Sequence, residues 1–268
     1  MAAYNNFDLA MLSDVGTDRG DNEDSCGHLI DGADSAVFVV ADGIGGYEGG
    51  EIASAMAVEI TLQAYRESPP AWGAAKRLSR AVQRANIEIH NRALTVPELG
   101  RMGTTLTAVA VEKGMMSATH VGDCRLYLLR NNRITQLTKD HTMVAEKVRM
   151  GLMTPSRART HPERSMLVRS IGRELIVSVD RIAMPLIQGD RLLLCSDGLY
   201  GVLEDDDLHQ ITRDLEPEES CRKLIEAANQ RGTADNLTAA VFKMIAATEY
   251  RPASSGWRDR FRGLFGRT

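Results

Sequence analysis

The chain has 268 residues, 43% hydrophobic and 25% charged, enough to bury the core of one enzyme-sized domain. Its net charge of -4, with cations and aromatics interleaved only at the extreme C-terminus, argues against nucleic acid as substrate or partner. Four cysteines without Cys-x-x-Cys spacing, no signal peptide over residues 1–8 and no apolar run approaching about 18 residues point to reduced thiols in a cytoplasmic protein.

In chain order, the first predicted strand is the branched apolar run 36–41, which ends at Asp42-Gly43. Two helices follow. Residues 52–65 are rich in alanine and aliphatics, while Trp72, Ala75, Leu78, Val82, Ala85 and Ile89 step by threes and fours into a stripe that would pack on a sheet. Four β-rich runs, 104–111, 115–121, 125–129 and 133–137, are separated by turn signals and predict an antiparallel meander. Residues 142–153 suit a short helix, and 154–164 are polar, basic and proline-punctuated, so 142–170 reads as an exposed flap. Strands over 176–182, 191–195 and 237–243 and a helix over 218–229, begun by Pro217, complete the set. The β-runs lie too close together for parallel crossovers, so the fold class is α+β: two stacked antiparallel β-sheets flanked by helix pairs.

The chemistry is carried by carboxylates. Glu23 and Asp24 follow Asn22, Asp42 and Asp197 precede glycines, Asp123 follows Gly122, and Asp235 precedes Asn236. Each would sit at or near a strand end, where rigid backbone can hold a charge at the sheet edge. The Gly43 carbonyl can itself be a ligand, and an all-oxygen set selects magnesium or manganese over zinc. Two such ions about 3.5–4 Å apart, bridged by one carboxylate, lower the pKa of a shared water and neutralise both ends of an in-line phosphoryl displacement. Arg19 offers the paired donors that a phosphate monoester fits. The glycine-rich run 43–50 has Glu48 where a dinucleotide fingerprint needs glycine, and the six histidines show no zinc spacing. His161, in the flap, is the one histidine placed to serve as a proton donor.

The ordered series Gly16-x-x-Arg19-x-x-Asn22-Glu23-Asp24, Asp42-Gly43-x-Gly45-Gly46, Gly103-Thr104-Thr105, Gly122-Asp123-x-Arg125, Ser196-Asp197-Gly198 and Asp235-Asn236 resembles the metal-dependent protein phosphatases of type 2C. The resemblance spans about residues 8–243 and is closest to compact, stand-alone bacterial serine/threonine phosphatases. It implies hydrolysis of phosphoserine and phosphothreonine in proteins by metal-activated water, opposing a bacterial serine/threonine kinase. It also implies a set of roles. Asp42 would bridge two Mn2+ or Mg2+ ions, with Glu23 and the Gly43 carbonyl on one and Asp197 and Asp235 on the other. Asp123 would join Asp197 around a third, weaker ion. Arg19 would hold the phosphate, and Asp24 would orient metal-bound water.

Ile44 stands where some relatives, chiefly eukaryotic, carry a histidine regarded as the general acid, which leaves that proton to metal-bound water or to His161. The same resemblance implies a flap that influences substrate choice, and the expected state is a monomer. Two other readings are a non-catalytic phosphoprotein-binding relative, which would be expected to lose ligands, and another two-metal phosphohydrolase such as a nuclease, which the net charge disfavours. The expected division is a catalytic domain at 1–244 and a linker with a basic tail at 245–268. In the tail, Trp257, Phe261, Leu264 and Phe265 share one helical face that could dock on the protein, meet a partner or touch an anionic membrane.

Overall fold

The computed structural model describes residues 6–44, 49–100 and 102–246. The tail expectation, and Gly45-Gly46 of the first glycine run, lie outside the described residues. In chain order, β1 (Phe7–Asp14), β2 (Asp24–Ile30) and β3 (Ser35–Ile44) lead into α1 (Gly49–Glu67) and α2 (Ala74–Thr95). Next come β4 (Gly103–Thr104), β5 (Leu106–Glu112), β6 (Met115–Val121), β7 (Arg125–Arg130) and β8 (Arg133–Gln136). The short helices α3 (Met143–Arg149) and α4 (Pro155–Arg159) precede β9 (Asp180–Pro185) and β10 (Arg191–Cys195). α5 (Asp197–Tyr200), α6 (Asp205–Asp214), α7 (Pro217–Gln230) and β11 (Leu237–Met244) end the described fold.

Two antiparallel sheets stack on each other. One has the order β1-β11-β10-β7-β8; the other runs β2-β3-β5-β6-β9, with β4 paired to β3. Alternation along single strands explains the layering, because successive side chains point to opposite faces. On β3, Ala36, Phe38 and Val40 face the space between the sheets, while Val37, Val39 and Ala41 meet α1 and α2. β11 does the same on the other sheet: Ala240 and Phe242 face inward and Ala239 and Val241 meet α7. Phe242 stacks on both Phe7 and Phe38, at 5.2 and 5.9 Å between ring centroids, pinning the two sheets together. Each such side chain, fully buried, contributes about 1.5–3 kcal/mol. The order is therefore helix pair, sheet, sheet, helix pair, as expected for an α+β sandwich.

Three expectations need correction. The four-strand meander is split: β5 pairs β6 in one sheet and β7 pairs β8 in the other. The Gly122-Asp123-Cys124 link is a crossover between sheets, made by Gly122 at φ 107°, a backbone that residues other than glycine rarely adopt. The strand expected over 176–182 starts only at Asp180, and Ile176 is 79% exposed. Asp42 lies within β3, beside Asp24 at the start of β2, whereas it was expected just past a strand end. β1, β2 and α6 had no clear signal. In β2, Gly27 interrupts the β pattern because a side chain there would stand 2.8 Å from Val58 on α1.

Candidate metal centre

Register brings the acidic segments to one edge of both sheets. Asp24 pairs with Asp42 across β2 and β3, while Asp14 pairs with Leu237, and Cys195 pairs with both Ala239 and Arg125. Asp235, Asp197 and Asp123, each one or two residues from those strand ends, therefore arrive at the same place. Arg19, Glu23, Asp42, Gly43, Asp123, Asp197 and Asp235 line one cavity of about 780 Å³. A second cavity of the same size, under α3 and α4, shares Arg19, Asp123, Asp197 and Asp235 with it.

Hydroxyl and amide side chains hold this edge in shape. Asp42 N donates to Thr105 Oγ1 at 3.0 Å, and Asp42 O accepts from Thr105 N and Thr104 Oγ1, both at 2.8 Å. That is the work of the Gly103-Thr104-Thr105 motif. Asn236 ties the loop carrying Arg19 and Glu23 to the start of β11, donating to Val15 O and Asp21 O and accepting from Glu23 N. Asp24 is buried, and its Oδ2 accepts from Ser196 Oγ at 2.6 Å and Thr238 Oγ1 at 2.7 Å. Ser196 stands in the quoted Ser196-Asp197-Gly198 motif without a role of its own there, and Thr238, two residues after Asn236, was not singled out in the sequence. Glu23 rests against the first turn of α1, where any side chain at Gly50 would collide with its carboxylate.

Packing several carboxylates into one buried edge raises their pKa values. Burial first, then the charges of Asp24, Asp197, Asp123 and Asp235, push Asp42 well above the usual carboxylate range. Asp123 is likewise held well up by burial and by Asp197. Burial lifts Asp24 to about 7 against the two hydroxyl donors. Asp197 rises to about 6 through burial and Asp235, opposed by Arg164, Arg19 and Arg125. Glu23 is raised by burial, with Arg19 opposing.

Such a cluster has the chemistry of a site for hard cations: oxygen donors only, with mutual repulsion that a bound cation would relieve. Among the described residues no three His, Cys, Asp or Glu side chains close around one point. The donors line an open cavity floor, an arrangement suited to ions that keep part of their water shell.

The sign of these shifts gives a stability prediction. Carboxyls whose folded pKa is raised bind more protons folded than unfolded, so metal-free protein should lose stability as pH rises from about 4 to about 7. Melts of chelated protein across this range should show a falling midpoint, and Mn2+ added at neutral pH should raise it by binding the folded state. A midpoint rising over that window in chelated protein would contradict the crowding described here.

The other expected residues are placed as follows. Arg19 stands at the rim with Nη2 2.9 Å from Asp235 Oδ1 and Nε donating to Ala234 O at 3.2 Å. Arg125 pairs with Asp140 at 2.7 Å and stacks on Tyr200. His161 lines neither cavity here; its Nδ1 accepts from Glu163 N, which leaves its ring proton on Nε2. The flap contributes Arg164 and Ser165 instead.

A family model described as protein phosphatase 2C matches residues 18–242. The serine/threonine phosphatase Stp of Listeria welshimeri is 34% identical over 252 residues, covering 91% of this chain and 100% of that protein. The crystal structure of the Mycobacterium tuberculosis serine/threonine phosphatase PstP/Ppp superposes with a TM-score of 0.81 at 36% identity, covering 89% of this chain and 99% of the other. A catalytic domain of PstP in complex with two manganese ions gives 0.80 at 33% identity, covering 89% and 98%. With the acidic edge, the sandwich and these likenesses together, the chain belongs to the protein phosphatase 2C family.

Proposed function

We infer that the chain is a metal-dependent serine/threonine protein phosphatase acting on phosphorylated proteins. The observation that carries this reading is the meeting of five separate acidic segments beneath Arg19 in one cavity. Asp42 would be shared by two Mn2+ or Mg2+ ions, with Glu23 and the Gly43 carbonyl serving one and Asp197 and Asp235 the other; Asp123 and Asp197 would serve a weaker third. When bound, such ions lower the pKa of water and offset charge on phosphoryl oxygens.

The chain's own groups do the rest. Arg19 is already at the mouth, and a substrate phosphate would compete with Asp235 for its guanidinium. Asp24 has Oδ2 committed to Ser196 and Thr238, which fixes the carboxyl plane and leaves Oδ1 to orient water in the site. Ile44 lines the cavity and offers no proton, so leaving-group protonation falls to water in the site or to His161 brought in by the flap.

Phosphate release from a phosphothreonine peptide, compared with a phosphotyrosine peptide of the same sequence, tests the assignment. Preference for phosphotyrosine would overturn it. Arg19→Lys should raise KM for the phosphothreonine peptide about ten-fold with a smaller change in kcat, because the charge survives and the paired donors do not. An unchanged KM would remove Arg19 from phosphate binding.

The catalytic unit is proposed to occupy 1–244. Ile245 N and Ala246 N still bond Asn6 O, so truncation belongs after Ala246. It should leave hydrolysis of a small aryl phosphate within about two-fold of the full chain, since the proposed ligands all precede it; a ten-fold loss would place the tail in the core. Among the described residues no helix is long and apolar enough to cross a membrane. A monomer in the cytoplasm, opposing a bacterial serine/threonine kinase, with the tail free for a weak partner or membrane contact, is the setting we propose. Free cysteines and the bacterial relatives support it.

A further inference from the structure

Behind Asp123 stands a fully buried histidine that the chemistry above does not use. His141 takes up both backbone groups of Gly122: Gly122 N donates to His141 Nδ1 at 3.0 Å, and Gly122 O accepts from His141 N at 2.8 Å. Since Nδ1 accepts, the proton of the neutral ring sits on Nε2, which faces Asp180 Oδ2 at 3.4 Å. Arg169 holds Asp180 from the other side at 2.9 Å. His141 O accepts from Val168 N at 2.9 Å, and Thr142 bridges Leu167. The cavity wall at 167–169 therefore hangs from the same residue.

The corner needs this support. Gly122 lies between the end of β6 and the start of β7, where a buried N–H has no ladder partner and must find another acceptor. Its φ of 107° is one that other residues rarely adopt. Tyr200 donates to Asp123 O at 3.1 Å and secures the far side.

We infer that His141 is a positioning residue for Asp123: it fixes the Gly122 backbone, aims the adjacent carboxylate for the weakest cation site, and ties it to the cavity wall at 167–169. The inference rests on the reading of Asp123 as a metal ligand. Loss of a group that orients a ligand weakens metal binding by about ten-fold or more.

The test counts free Mn2+ by electron paramagnetic resonance during titration, alongside the rate of phosphopeptide hydrolysis, for wild type, His141→Ala, His141→Asn, Asp123→Ala and the Ala/Ala double variant. His141→Ala should move the weakest Mn2+ binding step and the half-maximal rate about ten-fold upward, with KM at saturating metal little changed. His141→Asn, whose Oδ1 can accept from Gly122 N, should restore most of the shift. The double variant should be no worse than Asp123→Ala, because the two act on one ligand. If His141→Ala does not fold, His141→Gln replaces it, keeping volume while carrying the amide one bond too far out to accept there.

An unshifted Mn2+ titration beside a shifted one in Asp123→Ala would overturn the inference. So would losses that add in the double variant and are not rescued by asparagine, since those mark general packing damage. If Asp123→Ala itself leaves the weakest step unmoved, Asp123 is not a ligand and the inference falls with that assignment.

Discussion

Asp42→Asn is expected to lower kcat for a phosphothreonine peptide by about a thousand-fold or more, roughly 4 kcal/mol of barrier, while the protein stays folded. Asp42 is the most crowded carboxylate of the edge, with Asp24, Asp197, Asp123 and Asp235 all acting on it. An amide of the same shape keeps the bonds to Thr104 and Thr105, which use only the Asp42 backbone. Removing one of several buried like charges should even raise the melting midpoint of the metal-free protein, while the stabilisation by Mn2+ shrinks. Steady-state kinetics at saturating Mn2+ and paired melts check both halves. More than about a tenth of wild-type kcat would remove Asp42 from the bridging position.

Gly43→Ala should damage stability and activity together. A methyl group there would stand 2.8 Å from Glu23 O and closer still to the Gly50 carbonyl. These neighbours are backbone, so neither can swing aside. Gly43 N also donates to Glu23 O at 3.0 Å, which fixes the approach of the Glu23 segment to β3. Overpacking at such a point costs about 1–3 kcal/mol, and here it would also push the start of α1 away from Glu23. Gly20→Ala is the matched control, because nothing lies within 4 Å of its added methyl. Thermal melts and Mn2+-dependent rates should separate the two variants; a Gly43→Ala protein with wild-type midpoint and rate would contradict the packing described.

The comparison of the two glycines shows what the sequence could and could not disclose. The Asp42-Gly43 pair is legible as a motif, and the reason for its glycine, the approach of Gly50 and Glu23, appears only once α1 is docked. Strands buried on both faces, such as β3, β10 and β11, declare themselves as apolar runs, and the α2 stripe declares its period. β2 does not, because Gly27 answers to α1 packing and the exposed His28 follows it, so the alternation is interrupted. The β6 to β7 link was misjudged for a related reason: Gly-Asp-Cys looks like a hairpin turn locally, and only the pairing of β7 with β10 moves it to the other sheet.

At the site, the acidic residues, Arg19 and the Gly-Thr-Thr motif could be found from order and spacing. Thr238 and His141 could not, nor could the role of Ser196, although it stands in the quoted Ser196-Asp197-Gly198. They act through hydrogen bonds to groups distant in the chain, and a single serine, threonine or histidine has no pattern of its own. Asn236 lies between these cases, visible in Asp235-Asn236 but with its stitching role hidden until the loop after β1 is folded against it.

The most direct test of the central claim is phosphate release from a phosphothreonine peptide while free Mn2+ is titrated into chelator-treated protein, with bound Mn2+ counted in the same samples. The account predicts no release without metal, onset only once two ions are bound, and a further rise at higher Mn2+ that Asp123→Ala lacks. Release that persists in chelator with no bound metal, or none when the sites are filled, would contradict it.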